Sequence, residues 1–262
     1  MTNGIRTLLA TASTCLVLAP AAATSPSSSA CEVRSGPMPT VVVELYTSQG
    51  CSSCPPADRW LGGLRRRHGD RVLPLSMHVA YWDYIGWRDP FARSEFTARQ
   101  RDLARANASR SVYTPGVFVQ GLELRDWSVA GRFEARLEEI GRQAATARLT
   151  LTVDRIGSSE VAVRVAGQGP AGARLWVMLL GSGLTTRVDA GENRGETLRN
   201  DGVVRDWQGP LPLGTGTAVL LKRPAEAVSS RADSWAVAVL ADDAQGRTLQ
   251  AVHLPLAECV QR

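Results

Sequence analysis

Four residues, Cys51-Ser52-Ser53-Cys54, constrain this chain most, because of what stands on either side of them. Before them runs Val41-Val42-Val43-Glu44-Leu45-Tyr46, a β-branched apolar run continuous enough for a buried strand. Thr47-Ser48-Gln49-Gly50 breaks it. After them come Pro55 and Pro56, which suit a helix's first turn, where the N–H that proline lacks has no partner anyway. Ala57, Trp60, Leu61 and Leu64 then fall at i, i+3, i+4 and i+7, one apolar helical stripe. Gly62-Gly63 weakens that helix by about 1 kcal/mol per glycine relative to alanine. Arg65-Arg66-Arg67 places cations at its C-terminal dipole end. A strand running into a CxxC and then a helix sets two thiols one helical turn apart.

The chain has 262 residues, enough for one large domain or two ordinary ones. Its 44% hydrophobic and 21% charged residues exclude a mostly disordered chain, and a disulfide miniprotein would be shorter and far richer in cysteine than these five in 262 residues. The formal charge is +5, carried by arginines interspersed with acids, with Lys222 the only lysine. That pattern reads as a solvated surface and not as a nucleic-acid-binding face.

Residues 1–23 read as a secretory signal peptide: Arg6, an apolar run from Leu8 to Pro20, then Ala21-Ala22-Ala23. The run is too short for a confident membrane span, and no later segment approaches the roughly 18 apolar residues that a span needs. An uncleaved anchor and a lipid-modified Cys31 are the alternatives. Residues 24–39 read as a flexible spacer. Cleavage removes Cys15 and leaves Cys31, Cys51, Cys54 and Cys259, an even count that in an oxidising compartment suggests two disulfides. Cys51 and Cys54 are the local pair. Cys31 and Cys259 lie at the two ends of the mature chain, and termini are often close in space. Their bridge would be structural, worth roughly 5 kcal/mol on the loop-entropy account.

Residues 40–145 continue with a strand over Val72–Val79, an aromatic turn from Tyr81 to Trp87, and a polar helix from Pro90 to Ala108 with Phe96 and Leu103 inward. Tyr113-Thr114-Pro115 leads into a strand over Gly116–Val119, and a short strand follows at Leu122–Leu124. Phe133, Leu137, Ile140 and Ala144 mark a closing amphipathic helix. The order is β-α-β-α-β-β-α. Residues 146–262 change texture: Leu149, Leu151 and Val153 alternate with threonines, and Val161, Val163 and Val165 alternate likewise. Further strand candidates span Leu175–Leu180, Val219–Leu221, Ser234–Leu240 and Leu249–Leu254, which predicts an antiparallel β-sandwich-like domain. Gly191 to Arg205 reads as a polar hairpin loop, with a place over the cysteines as the alternative.

At a helix N-terminus, unpaired N–H groups and the positive dipole end favour thiolate, so Cys51 is the expected nucleophile. Cys54, one turn in, is the expected resolving thiol. An inert staple and half a metal site are the alternatives, although a structural zinc site needs four ligands and no second CxxC is present.

Residues Thr40 to Ala145 resemble the thioredoxin superfamily, an α/β fold with a mixed central sheet flanked by helices. The resemblance implies a cis-proline facing the CxxC, for which Pro115 stands in place. The backbone at Thr114 would then pair with an extended peptide substrate. It also implies a buried acid near the resolving cysteine. Glu44 matches, with one extra residue in the loop, and would relay the proton that Cys54 loses; otherwise Glu44 points to solvent. Asp58 is assigned to complementing the helix dipole. The stretch Glu44 to Asp58, with His78-Val79, Tyr81-Trp82-Asp83, Gly86-Trp87, Asp89-Pro90-Phe91-Ala92 and Gly191-Glu192-Asn193-Arg194-Gly195, is similar to a secreted bacterial thioredoxin-like family, domain of unknown function 1223. Ala80 stands where that family usually has an acid.

These readings predict an exported thiol–disulfide oxidoreductase, periplasmic or secreted, acting on protein or peptide thiols and disulfides without an organic cofactor or a metal. Trp82 would wall the substrate groove. The alternatives are an envelope-binding protein with Cys51–Cys54 as a staple, and a Cu(I)-handling protein using Cys51, Cys54 and His78. His78 otherwise ends a strand, hydrogen-bonded in place.

Overall fold

Alternation within one strand sets the layers. Val41, Val43 and Leu45 point to one side of strand β2 (Val41–Thr47), where they pack against Ala57, Leu61 and Leu64 of helix α1 (Pro55–His68) and against Phe133, Leu137 and Ile140 of helix α3 (Arg132–Gly141). Val42 and Tyr46 point to the other side, onto Phe96 and Leu103 of helix α2 (Ser94–Ala106). With both faces covered, β2 is buried throughout, as its unbroken apolar run requires. This computed structural model describes residues 1–2, 31–225 and 234–260. The expected signal peptide, apart from its first two residues, and the spacer up to residue 30 lie outside the described residues.

Strand β3 (Val72–His78) runs parallel to β2, and β4 (Gly116–Val119) antiparallel on its other side, with β5 (Leu122–Glu123) at the edge. The β-α-β-α-β-β-α order is present. Helix α2 starts later than expected, after an extended Arg93, and α3 ends at Gly141, leaving Ala144 exposed.

The sheet does not stop at residue 145. Beyond it come β6 (Arg148–Ile156), β7 (Glu160–Gln168), β8 (Arg174–Gly181), β9 (Leu184–Arg187), β10 (Thr197–Asn200), β11 (Val203–Pro212), β12 (Thr217–Lys222), β13 (Trp235–Asp242), β14 (Thr248–Pro255) and helix α4 (Leu256–Val260). Eight strands form one mixed sheet in the order β14-β13-β8-β11-β3-β2-β4-β5. The seam is the parallel pairing of Val203 with Ser76, whose N–H donates to the Gly202 carbonyl at 2.8 Å. A second, antiparallel sheet, β1-β6-β7-β12, packs over β8, β13 and β14 to make the sandwich.

Strand β1 (Cys31–Arg34) corrects the flexible-spacer expectation for residues 24–39: these four residues pair with β6, Cys31 opposite Val153. Their two intermediate-to-buried apolar positions, Cys31 and Val33, join the sandwich core. Cys31 and Cys259 are disulfide-bonded with their Cα atoms 5.3 Å apart, tying β1 to α4. No helix among the described residues is long and apolar enough to cross a membrane.

Candidate functional site

The CxxC sits where β2 hands over to α1. Cys54 is the N-cap of α1, with Pro55 at its first position, and Cys51 and Cys54 are joined as a disulfide with Cα atoms 5.5 Å apart. The approach is a tight turn: the Cys51 N–H donates to the Ser48 carbonyl at 3.2 Å, and the Ser48 hydroxyl accepts the Gly50 N–H at 3.0 Å. Ser52 and Ser53 are exposed, whereas Cys54 is fully buried and Cys51 only 1% exposed.

Three of the expected substrate-side residues meet here. The Thr114–Pro115 bond is cis, and the Thr114 carbonyl oxygen lies 3.9 Å from Cys51 Sγ. Trp82 Nε1 donates to Thr114 Oγ1 at 2.7 Å, so the aromatic turn is bolted to the same residue. Gly50 lies close against the same turn: a Cβ there would stand 3.1 Å from Ile85 Cδ1 and 3.5 Å from Trp82 Cβ.

Glu44 does not stand where the proton relay needs it. It is buried, but on the β2 face shared with Val42 and Tyr46, away from α1. Arg99 takes both its oxygens, Nε at 2.8 Å and Nη2 at 2.7 Å, and Tyr46 donates its hydroxyl at 2.6 Å. Arg99 Nη1 also reaches Asp242 at 3.1 Å. Glu44 is thus the anion of a buried ion cluster. Period-2 alternation explains the correction: the position that faces α1 next to the CxxC is Thr47, not Glu44.

The acid on the α1 side of β2 is Asp58. It lies four residues after Cys54 and three before Leu61, on the buried stripe of α1, and its N–H donates to the Cys54 carbonyl at 3.1 Å. Thr47 donates its hydroxyl to Asp58 Oδ2 at 3.1 Å. Burial pushes the Asp58 pKa up to about 6, against the pull of His78 and the Thr47 bond. The sequence signal was its place on the apolar helical stripe, which the dipole assignment overlooked.

His78 ends β3, fully buried, with Nδ1 2.7 Å from Asp89 Oδ2. Burial disfavours its charge, but the Asp89 carboxylate, helped by Asp58, raises its pKa above the ordinary histidine value. Asp89 is held below the usual carboxylate range: His78 and the N–H groups of Gln49 and Phe91 outweigh its burial. Asp58 Oδ1 and His78 Nε2 are buried without a hydrogen-bond partner among the described residues, and each feels the other's charge. Among the described residues no three His, Cys, Asp or Glu side chains are grouped to hold a metal ion.

The loop between β9 and β10 comes over the cysteines. Asn193, nearly buried, donates Nδ2 to the carbonyls of Gln49 and Cys51, both at 2.9 Å, and Glu192 Oε2 accepts the Ser52 N–H at 2.9 Å. Gln49 Nε2 in turn donates to Asn200 Oδ1 at 3.1 Å.

Residues 42–241 match the family described as "Protein of unknown function (DUF1223)". The chain belongs to this family. No curated protein matches it. The DUF1223 chain is also similar to a crystal structure of an Agrobacterium tumefaciens protein, a structural-genomics target, with 30% identity and a TM-score of 0.60 over 84% of this chain and 96% of that one. The DUF1223 match contains the CxxC, the Thr114–Pro115 bond, Asp58, His78 and the Glu192-Asn193 loop, and leaves Cys31 and Cys259 outside.

Proposed function

We propose that this protein exchanges thiols and disulfides through Cys51 and Cys54, in the periplasm or outside the cell, on protein or peptide partners. The observation that carries this reading is the CxxC disulfide at the N-terminus of α1 with the Thr114 carbonyl 3.9 Å from Cys51 Sγ. An extended peptide hydrogen-bonded along Thr114 would bring its own sulfur to Cys51.

In the reducing direction the Cys51 thiolate attacks one sulfur of a substrate disulfide. The substrate S–S bond breaks, one sulfur leaves as thiolate, and a mixed disulfide forms. Cys54 then loses its proton to Asp58, whose carboxyl ionises near 6 and is therefore a working base at neutral pH. The Cys54 thiolate attacks Cys51 Sγ and closes the Cys51–Cys54 bond. The second substrate sulfur leaves, taking up a proton. The substrate gains two electrons and the protein loses two. Run backwards, the same steps pass the disulfide to a substrate dithiol.

One observation favours a second reading, a permanent staple in an envelope-binding protein: Cys51 is only 1% exposed. Equilibration in glutathione buffers with trapping of free thiols separates the two. A midpoint above about −270 mV for Cys51 and Cys54 supports exchange, and a pair that stays oxidised, below about −300 mV, makes it a staple. Cys51→Ser is then expected to abolish disulfide reduction, and Cys54→Ser to trap mixed disulfides.

A further inference from the structure

Beside the place where a Cys51 thiolate forms stands a carboxylate from far along the chain. Glu192 accepts the Ser52 N–H at 2.9 Å, on the peptide that joins Ser52 to Cys51, across 140 residues of sequence. That amide and the Ser52 hydroxyl hold its pKa below the ordinary glutamate value, so it is charged at neutral pH.

Its position is built. Asn193 locks the loop to the carbonyls on both sides of Gly50. Gly191 has a φ of 74°, and a Cβ there would meet Ile85 Cδ1 at 3.0 Å and Trp87 Cβ at 3.3 Å, so the loop tip seats against the aromatic turn only as glycine. The loop is closed at its base by Gly195 N–H to the Val188 carbonyl at 2.8 Å and Val188 N–H to the Glu196 carbonyl at 2.9 Å.

Reduction converts the neutral disulfide into two thiols, of which Cys51 ionises with help from the α1 N-terminus and the Ser53 hydroxyl, 3.3 Å from its sulfur. A carboxylate one residue away repels that thiolate and competes for the same positive dipole end. It therefore favours the disulfide.

We propose that Glu192 sets the reduction potential of the Cys51–Cys54 pair, making it more reducing, and that Asn193 is the positioning residue that keeps Glu192 there. This deepens the exchange reading of the same site and rests on it. In a thioredoxin-like arrangement the tuning group thus comes from the β-rich half of the chain.

The test equilibrates the purified protein and its Glu192→Gln and Asn193→Ala variants in glutathione buffers at low ionic strength. Two glutathione thiols become one glutathione disulfide as Cys51–Cys54 is reduced. Glu192→Gln is expected to raise the equilibrium constant for reduction by a factor of about two to five, the size of one charge at a helix N-terminus. At 29.6 mV per tenfold this is about 9–21 mV more oxidising. Asn193→Ala shifts the same way. Both shifts shrink in 1 M salt, where the screening length is about 3 Å. A parental potential in Glu192→Gln overturns the proposal, as does a shift that salt leaves unchanged. A parental potential in Asn193→Ala overturns the positioning role. If the parent's pair stays oxidised throughout, the exchange reading falls instead. The same comparison in dithiothreitol, a stronger reductant, then decides on Glu192.

Discussion

Asp58 ionises near 6 because burial strips water from its carboxylate, and one of its oxygens has no partner among the described residues. Its folded pKa lies above the unfolded value, so the folded state holds the proton more tightly and stability falls as pH rises from about 4 to about 6, the loss being complete above that. A rise of about two pKa units corresponds to about 3 kcal/mol. His78 acts in the same direction: its raised pKa contributes stability below its unfolded value that is lost as pH rises through the folded one. Asp58→Asn is therefore expected to stabilise the protein at pH 7 by up to about 3 kcal/mol and to flatten the urea midpoint between pH 4 and 6. If Asp58 takes the Cys54 proton, as proposed, the same variant should accumulate mixed disulfides. A destabilised Asp58→Asn protein with undiminished exchange would return Asp58 to a merely structural role.

Helix α1 shows how an element's defects report its neighbours. Its two consecutive glycines look equivalent in sequence, and each weakens a helix by about 1 kcal/mol relative to alanine. In the fold they differ. The three atoms nearest a Cβ on Gly63 all belong to the guanidinium of Arg67, an exposed side chain that would give up only its hydrogen bond to the Trp60 carbonyl at 3.2 Å in moving aside, whereas a Cβ on Gly62 would stand 2.8 Å from Asp201 Oδ2 and 3.3 Å from its Cβ. Asp201 is anchored by the Gly183 N–H at 2.7 Å, so it has little room to give. Gly63→Ala is expected to raise stability by up to about 1 kcal/mol and Gly62→Ala to gain nothing or lose, read as shifts in the urea midpoint at unchanged slope. This contact also marks where the sequence stopped being readable. The strand, CxxC and helix over residues 41–68 were legible because each carries its own period and punctuation. Strands β9, β10 and β11 were not: Leu184–Arg187 and Thr197–Asn200 carry mostly polar residues with no apolar alternation, since they bury little, and β11, expected as loop up to Arg205, buries Val203 and Val204 but then loses its pattern at Asp206, Gly209 and Pro210, where its pairing with β8 is irregular. What they do is dock a loop on the cysteines, and docking through backbone carbonyls leaves no trace in hydrophobic pattern. Glu44 was misplaced for a related reason. The sequence left it either buried or at the solvent end of the strand, and which face it took depended on a loop one residue longer than the thioredoxin pattern.

At the scale of the molecule, the change of texture at residue 145 is real in the sequence and absent from the core. One apolar cluster joins Val42, Tyr46, Leu73 and Phe96 to Met178, Leu180, Val204 and Leu240. Across the same boundary Arg99 binds Glu44 of β2 and Asp242 of β13, with Trp176 and Trp207 stacked on its guanidinium at 5.2 and 5.3 Å. Such a cluster is costly to break, because removing one half leaves a buried charge unpaired, a loss of about 3–5 kcal/mol. The Cys31–Cys259 disulfide lies within the sandwich, tying β1 to α4, and does not itself cross this boundary. Two units sharing a sheet, a core and an ion cluster should not unfold independently. The expected outcome is one cooperative urea transition, with far-ultraviolet circular dichroism and tryptophan fluorescence coinciding, since Trp60 and Trp82 report one half and Trp176 and Trp207 the other. A fragment ending at residue 145 would bare the β3 edge now paired with β11 and the flank of the apolar cluster now completed by Met178, Leu180 and Val204, and should aggregate instead of folding. Two separated transitions, or a soluble folded fragment, would mean that the seam at Val203 and Ser76 contributes little. The loop bearing Glu192 could then lift from the cysteines without disturbing the rest of the fold.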